Sequence, residues 1–240
     1  EAGYDGGEGR GSEGYLSNEC VAAATNHRND AGGGDFERRC RFPIEILSRM
    51  REAVGQDFIV MYRLSMLDLV AGGSNWSEVE TLAQQVQRAG ATMINTGIGW
   101  HETRIPTIAT MVPRGGFQFV TQKLMGKVQV QLVTTNRFNT AEDCEAALAA
   151  GAADMVSMAR PFLADPHLVK KARLSRPEDI NTCIGCNQAC LDHVFQNKVS
   201  SCLVNPRACH ETEHWRISTP SGQLDTGVAR TGLSLSLIHI

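Results

Sequence analysis

Three things are missing from this 240-residue sequence: an apolar run of the length a bilayer-spanning helix needs, a surplus of one charge, and a second partner for its single C-x2-C knuckle. The first removes any reason to expect a membrane protein. The second, with a net charge of −3, removes the electrostatic reason for a nucleic-acid or lipid-surface partner. The third weakens a tetrahedral zinc reading, because structural zinc sites usually pair two such knuckles across a long spacer. No basic and apolar leader pattern opens the sequence, and its cysteines do not read as a disulfide framework, so a cytoplasmic protein is expected. Hydrophobic content of 42% and charged content of 20% fit one large or two small globular domains.

Against those absences stands one concentration of chemistry. Five of the eight cysteines lie between Cys183 and Cys209. Cys183, Cys186 and Cys190 share one short loop containing Gly185, so their sulfurs can converge on a compact object that Cys202, after eleven intervening residues, closes from a distance. Spacings of two, three and eleven suit an iron–sulfur cluster, which takes local thiolates plus one from farther along the chain. Zinc and inert thiols remain open on spacing alone. Cys209 is spare.

The run Asn181-Thr-Cys-Ile-Gly-Cys-Asn-Gln-Ala-Cys-Leu-Asp192, with Val204-Asn-Pro-Arg-Ala-Cys-His210, closely resembles the iron–sulfur segment of bacterial NADPH-dependent 2,4-dienoyl-CoA reductases. These are old-yellow-enzyme-like flavoproteins, a group that includes trimethylamine dehydrogenase. The resemblance covers about residues 1–212. It implies an α/β fold, a partial (β/α)8 TIM barrel of about strands 4–8 over residues 1–175, then a [4Fe–4S] segment over 176–212. Residues 213–240 carry no family pattern and are expected to be a disordered or foreign tail. The resemblance also implies an internal piece of a longer chain, whose missing N- and C-terminal parts would be its partners and would hold FAD and NADPH. A lone piece of barrel would expose strand edges and is expected to be poorly stable and, by itself, inactive. The implied activity passes electrons from NADPH through FAD, a cluster on Cys183, Cys186, Cys190 and Cys202, and FMN to a 2,4-dienoyl-CoA in fatty acid β-oxidation. Alternatives are a relative acting on other enones or amines, and a zinc-stabilised interaction module without catalysis.

Periodicity independently predicts alternating strands and helices. Helices are expected over 42–54, 76–89, 117–124, 141–150 and 167–173, and strands over 57–62, 92–95, 128–133 and 154–158. Residues 1–6 read as the last turn of a helix entering a strand. A strand near 6–10 is doubtful, because Gly7 and Gly9 remove the side chains a barrel strand packs with.

In a parallel barrel the working groups stand at the carboxyl ends of strands, and phosphates bind at the last two strand–helix loops. Arg137 in Thr134-Thr-Asn-Arg137 and Arg160 in Met158-Ala-Arg-Pro161 occupy such loops, with the Ala159 and Arg160 amides as further donors; the resemblance makes them FMN-phosphate contacts. It likewise places Arg63 beside the flavin's pyrimidine edge, against the plainer reading of a structural salt bridge. Tyr15 and His101 each follow a strand. With the resemblance they are the proton donor and its partner in thioester reduction, and Thr25 and Arg104 are weaker candidates for acyl-CoA contact. Two patterns carry little weight. Gly9-Arg-Gly-Ser-Glu-Gly14 fits a dinucleotide motif without a convincing helix after it, and His210-Glu-Thr-Glu-His214 fits a zincin motif without an apolar helical face.

Overall fold

The computed structural model describes residues 3–213, 217–218 and 224–225. The chain divides into two units, Glu1–Met158 and Ala159–Ile240.

The first unit is a five-stranded, all-parallel sheet in which every neighbour is the next strand along the chain. Its elements are β1 (Gly6–Gly11), α1 (Leu16–Val21), α2 (Phe36–Val54), β2 (Ile59–Leu67), α3 (Trp76–Arg88), β3 (Met93–Ile98), α4 (Gln118–Leu124), β4 (Gln131–Thr134), α5 (Ala141–Ala149) and β5 (Met155–Val156). Helical crossovers that step always to the next strand build a barrel wall, whereas a doubly wound sheet reverses its strand order. The expected partial barrel is therefore present.

Alternation along the strands sets the two faces. Val60, Tyr62, Leu64 and Met66 of β2, with Ile94 and Leu132, are buried in one core with Leu47 of α2, Val79 and Val86 of α3, and Leu124 of α4. On the opposite parity Arg10, Arg63 and Asn95 stand side by side in register. Arginines stitch the helices down. Arg39 of α2 reaches Glu78 of α3 at 2.8 Å, and Arg51 donates to the carbonyls of Gly90 and Phe58 at 2.8 and 2.9 Å.

Several expectations shift. The glycine-rich first strand does form, paired with β2 along its whole length from Gly6–Ile59 to Gly11–Leu64. Backbone pairing needs no side chain, and the Tyr62 ring takes the room: a Cβ on Gly11 would lie 1.9 Å from Tyr62 Oη. A helix, α1, also follows that motif, and Ser12 and Glu13 between them are buried. Helix α2 begins at Phe36 because the Asp35 side chain caps it, accepting from Arg38 N at 2.9 Å, and the helix carries Pro43 internally. Strand β2 runs to Leu67, past a bulge at Ser65–Leu67. Of the turn expected at 1–6, residues 1 and 2 lie outside the described residues, and Gly6 already belongs to β1.

The second unit holds α6 (Arg160–Ala164), α7 (Leu168–Arg173), a 3-10 turn at Pro177–Asp179, α8 (Leu191–Phe195), and an antiparallel pair, β6 (Ile217–Ser218) with β7 (Leu224–Asp225). Apart from Glu213, β6 and β7, the expected tail lies outside the described residues, as does His214 of the zincin-like motif. Asp165, 2% exposed, accepts from Lys171 Nζ at 2.5 Å, His167 N at 2.9 Å and Asn181 N at 3.0 Å, so α6, α7 and the approach to the cysteine loop share one carboxylate. Burial would raise that carboxyl, but Lys171 and the two amides hold it below the ordinary range. Among the described residues no helix is long and apolar enough to cross a membrane.

Candidate functional site

Parallel strands deliver their carboxyl ends to one side of the sheet, and in the first unit that side gathers Tyr15 after β1, Asp68 after β2 and His101 after β3. Tyr15 Oη and His101 Nε2 are 3.1 Å apart, with the rings edge to face at 5.4 Å between centroids. Both side chains are exposed. The Arg10 guanidinium lies 4.1 Å from the centroid of the Tyr15 ring. The pair named from sequence is thus brought together.

A buried carboxylate holds the backbone beneath it. Asp68 accepts from Trp100 Nε1 at 2.8 Å, Ser65 Oγ at 2.6 Å, Ser74 N at 2.6 Å and Asn18 Nδ2 at 3.2 Å. Trp100 immediately precedes His101 and Asn18 lies on α1 just after Tyr15, so Asp68 fixes both partners from below. Four donors on one buried carboxylate leave it satisfied and rigid.

Arg63 forms the salt bridge that the plainer reading asked for, with Nε and Nη2 both 2.8 Å from Glu13 Oε1. Ser12 Oγ and Arg10 Nη2 serve the other Glu13 oxygen. Burial would raise the Glu13 carboxyl, but Arg63, Ser12 and Arg10 together hold it below the ordinary carboxylate range. Beside Arg63, Asn95 donates to Glu8 at 3.0 Å, while its Oδ1 is buried with no hydrogen-bond partner.

The remaining candidates are placed less simply. Arg137, buried and at a left-handed φ of 63°, donates to Val112 O at 2.9 Å and Asn139 Oδ1 at 2.6 Å. Thr25 Oγ1 donates to Glu19 O at 2.7 Å, tying off the end of α1, and Arg104 is exposed in the bend after His101. Ala159 is the N-cap of α6 and Arg160 its first residue.

In the second unit Cys183, Cys186, Cys190 and Cys202 line one small cavity. Gly185 at φ 69° and Asn187 at φ 65° wind the first three cysteines into a tight loop, and only glycine visits that region without cost. Ser201 N donates to Ala189 O at 2.7 Å and Asn205 N to Cys202 O at 3.1 Å, which brings the fourth cysteine back. Leu163, Ile184, Leu203 and Val204 make the rest of the wall largely apolar, and Arg160 and Asn187 complete it. The Arg160 guanidinium donates to Asn187 Oδ1. Burial pushes the Cys202 thiol up, and Cys183 and Cys190 nearby push it the same way. Among the described residues no three His, Cys, Asp or Glu gather as the ligands of a single ion. Outside the loop, burial raises Cys40 to about 12 and Cys144 to about 11, so neither is a thiolate at neutral pH.

Sequence reasoning missed Glu13, Asp68, Trp100, Asn95 and Asn187. Glu13 had a signal, since a strand arginine needs a carboxylate and Glu13 lies two residues before the chosen tyrosine. Asp68, the first charge after an apolar strand, had a weaker one.

Residues 1–179 match the NADH:flavin oxidoreductase / NADH oxidase family. The chain is 39% identical to the metal reductase of Desulforamulus reducens, over 99% of this chain and 36% of that protein. It is 36% identical to the NADH oxidase of Thermoanaerobacter brockii, over 87% of this chain and 32% of that protein. A 2-naphthoyl-CoA reductase solved with 2-naphthoyl-CoA superposes with a TM-score of 0.85 at 35% identity, covering 87% of this chain and 32% of that one. The chain therefore spans about a third of the length of these curated relatives.

Proposed function

We propose a function from one premise: the chain belongs to the NADH:flavin oxidoreductase / NADH oxidase family. Its strands are part of that family's barrel, and within the family we read it as the flavin and iron–sulfur portion of a reductase of conjugated acyl-CoA thioesters, 2,4-dienoyl-CoA first among them. The observation that carries the substrate class is the Tyr15–His101 pair at 3.1 Å. The acyl-CoA bound to the naphthoyl-CoA reductase supports the same class.

The residues present fit both cofactors. Arg63 and the unpartnered Asn95 Oδ1 offer a fixed cation and a buried acceptor side by side, which is complementary to the acceptor and N–H edge of a flavin's pyrimidine ring. Arg137 and the Ala159–Arg160 amides are the proposed phosphate contacts. Four thiols around one largely apolar cavity are the donor set of a [4Fe–4S] cluster. Bound FMN supplies hydride, and the cluster supplies one-electron transfer from a pyridine-nucleotide and FAD portion.

This chain's own chemistry is proton delivery. Reduction of a conjugated thioester leaves electron density on a substrate carbon that must be protonated, and the Tyr15 hydroxyl is the donor we assign. His101, hydrogen-bonded to that oxygen, stabilises it as the proton leaves. Thr25 and Arg104 are assigned to the entering acyl-CoA.

Anaerobic reconstitution with iron, sulfide and FMN tests the reading. We expect about four irons and four sulfides per chain and, in the full-length parent protein, bound FMN and reduction of a dienoyl-CoA with dithionite as electron source. Tyr15→Phe is expected to lower that turnover by about 100-fold with little change in KM. Stoichiometric zinc in place of iron and sulfide would sink the cluster reading. Turnover of simple enones or secondary amines in place of the thioester, or a fully active Tyr15→Phe, would sink the substrate assignment.

A further inference from the structure

We infer that Arg160 belongs functionally to the cysteine cavity, where it positions the Cys183–Cys190 loop through Asn187 and raises the reduction potential of the cluster. This rests on the proposed cluster and concerns a residue that sequence reasoning assigned to a phosphate.

Three observations carry it. Arg160 lines the same cavity as the four cysteines, and among the described residues that line it Arg160 is the one basic side chain. Its guanidinium donates to Asn187 Oδ1, and Asn187 stands between Cys186 and Cys190 at a left-handed φ of 65°, a conformation most side chains avoid and a bound amide helps to hold. Asn205 Nδ2 donates to Leu163 O at 2.8 Å, so the five-residue helix that starts at Arg160 is also tied to the return segment carrying Cys202. Arg160 thus reaches the cysteine loop directly, and its own helix is held to the fourth ligand's segment.

The energetic consequence comes from charge. Four thiolates make the site anionic, and each added electron makes it more so. A fixed cation on an apolar wall, where screening is weak, stabilises the reduced state more than the oxidised one. Lysine keeps that charge but loses the planar fork that holds Asn187, whereas glutamine loses the charge and keeps a donor.

The test is a redox titration of the whole chain reconstituted with iron and sulfide and without FMN, following the visible bleaching and the EPR signal of the reduced cluster. Arg160→Gln is expected to move the midpoint to a more negative potential, and Arg160→Lys to stay near the unsubstituted value. Asn187→Ala is expected to lower iron and sulfide loading while leaving the midpoint of the loaded fraction in place. An Arg160→Gln variant that fails to load, beside an Arg160→Lys variant that loads, supports the charge contribution, since glutamine keeps a donor for Asn187 and only lysine keeps the charge. Equal midpoints in all variants, or equal shifts for glutamine and lysine, overturn the inference alone. An unsubstituted chain that takes up zinc and no sulfide overturns it together with the cluster reading.

Discussion

The sheet unit buries Tyr62, Leu47, Leu64, Met66, Ile94, Leu124 and Leu132 almost completely, whereas among the described residues the buried apolar ones of the cysteine unit are Pro161, Ala164, Leu168, Cys183, Ala189 and Ala208. Each large buried side chain is worth about 1.5–3 kcal/mol, and an alanine far less. The sheet unit therefore draws its packing from its own large side chains, and its candidate groups are presented by the ends of its strands. The cysteine unit has helices of five, six and five residues and a core of small side chains, the condition in which a metal or cross-link usually supplies what burial cannot. One site is mounted on a scaffold; the other is a substantial part of what its scaffold is made from.

The largest effect that could break this contrast is removal of a proposed cluster ligand. Cys186→Ser, or chelation of the loaded chain, is expected to strip iron and sulfide and to erase hydrogen-exchange protection across the loop and α8. The amides of β2 and β3 should keep theirs. Protection of the Ser201 amide, which donates to Ala189, surviving without metal would show that the cysteine unit folds on its hydrogen bonds alone.

How much of this was legible from sequence divides along the same line. Apolar periodicity found α3, α4, α5, β3, β4 and β5 to within a few residues, because one buried face leaves a mark on every second or fourth position, but it missed α1 and the far half of β2. It gave little support to the candidate strand near 6–10, which forms as β1 because the packing atoms belong to Tyr62 on the neighbouring strand and the glycines only make room. It also failed at the start of α2, where a single aspartate cap outweighs a charged, weakly apolar first turn. In the candidate sites, Tyr15 and His101 were legible because a parallel barrel gathers the residues just past its strand ends on one side. Asp68 was not, since two of its four donors, Asn18 and Trp100, come from stretches of chain 50 and 32 residues away that only the fold brings close. Likewise Arg160 reads as a phosphate ligand by its loop, and only coordinates reveal its bond to Asn187.

A core substitution sharpens the contrast from the other side. Leu47 is fully buried, and its Cδ2 would lie 3.5 Å from a Cβ on Gly9, so it packs against a strand with no side chain able to fill a gap. Leu47→Ala is expected to cost about 2–5 kcal/mol, toward the upper end because the cavity cannot collapse. Chemical denaturation followed by β2 and β3 amide exchange measures it. Iron and sulfide per folded chain should not change. A loss of cluster equal to the loss of sheet stability would mean that the two units unfold as one, and the contrast would fall.

The smallest expected effect is electrostatic and lies within the sheet unit. Glu13 is held below its ordinary value of 4.5 by Arg63, Ser12 and Arg10 against the opposing effect of burial. A carboxyl whose folded value is depressed contributes stability that is complete above the unfolded value and is lost as pH falls through the folded one. Glu13→Gln should therefore be less stable than the unsubstituted chain at pH 7, by about 1.5–3 kcal/mol for a hydrogen bond to a charged group. The difference should shrink toward zero as the pH drops below the depressed value. Asp165, also held below its ordinary value, adds acid sensitivity of its own, so the difference between variant and parent is the diagnostic quantity. Denaturant midpoints of both chains from pH 7 to pH 3 give that difference. A gap independent of pH would mean that Glu13 acts by shape and that Arg63 keeps its place without the charge. A gap that closes in acid would show the Arg63 guanidinium positioned by a carboxylate of its own sheet, a mouth electrostatically complete before any cofactor arrives.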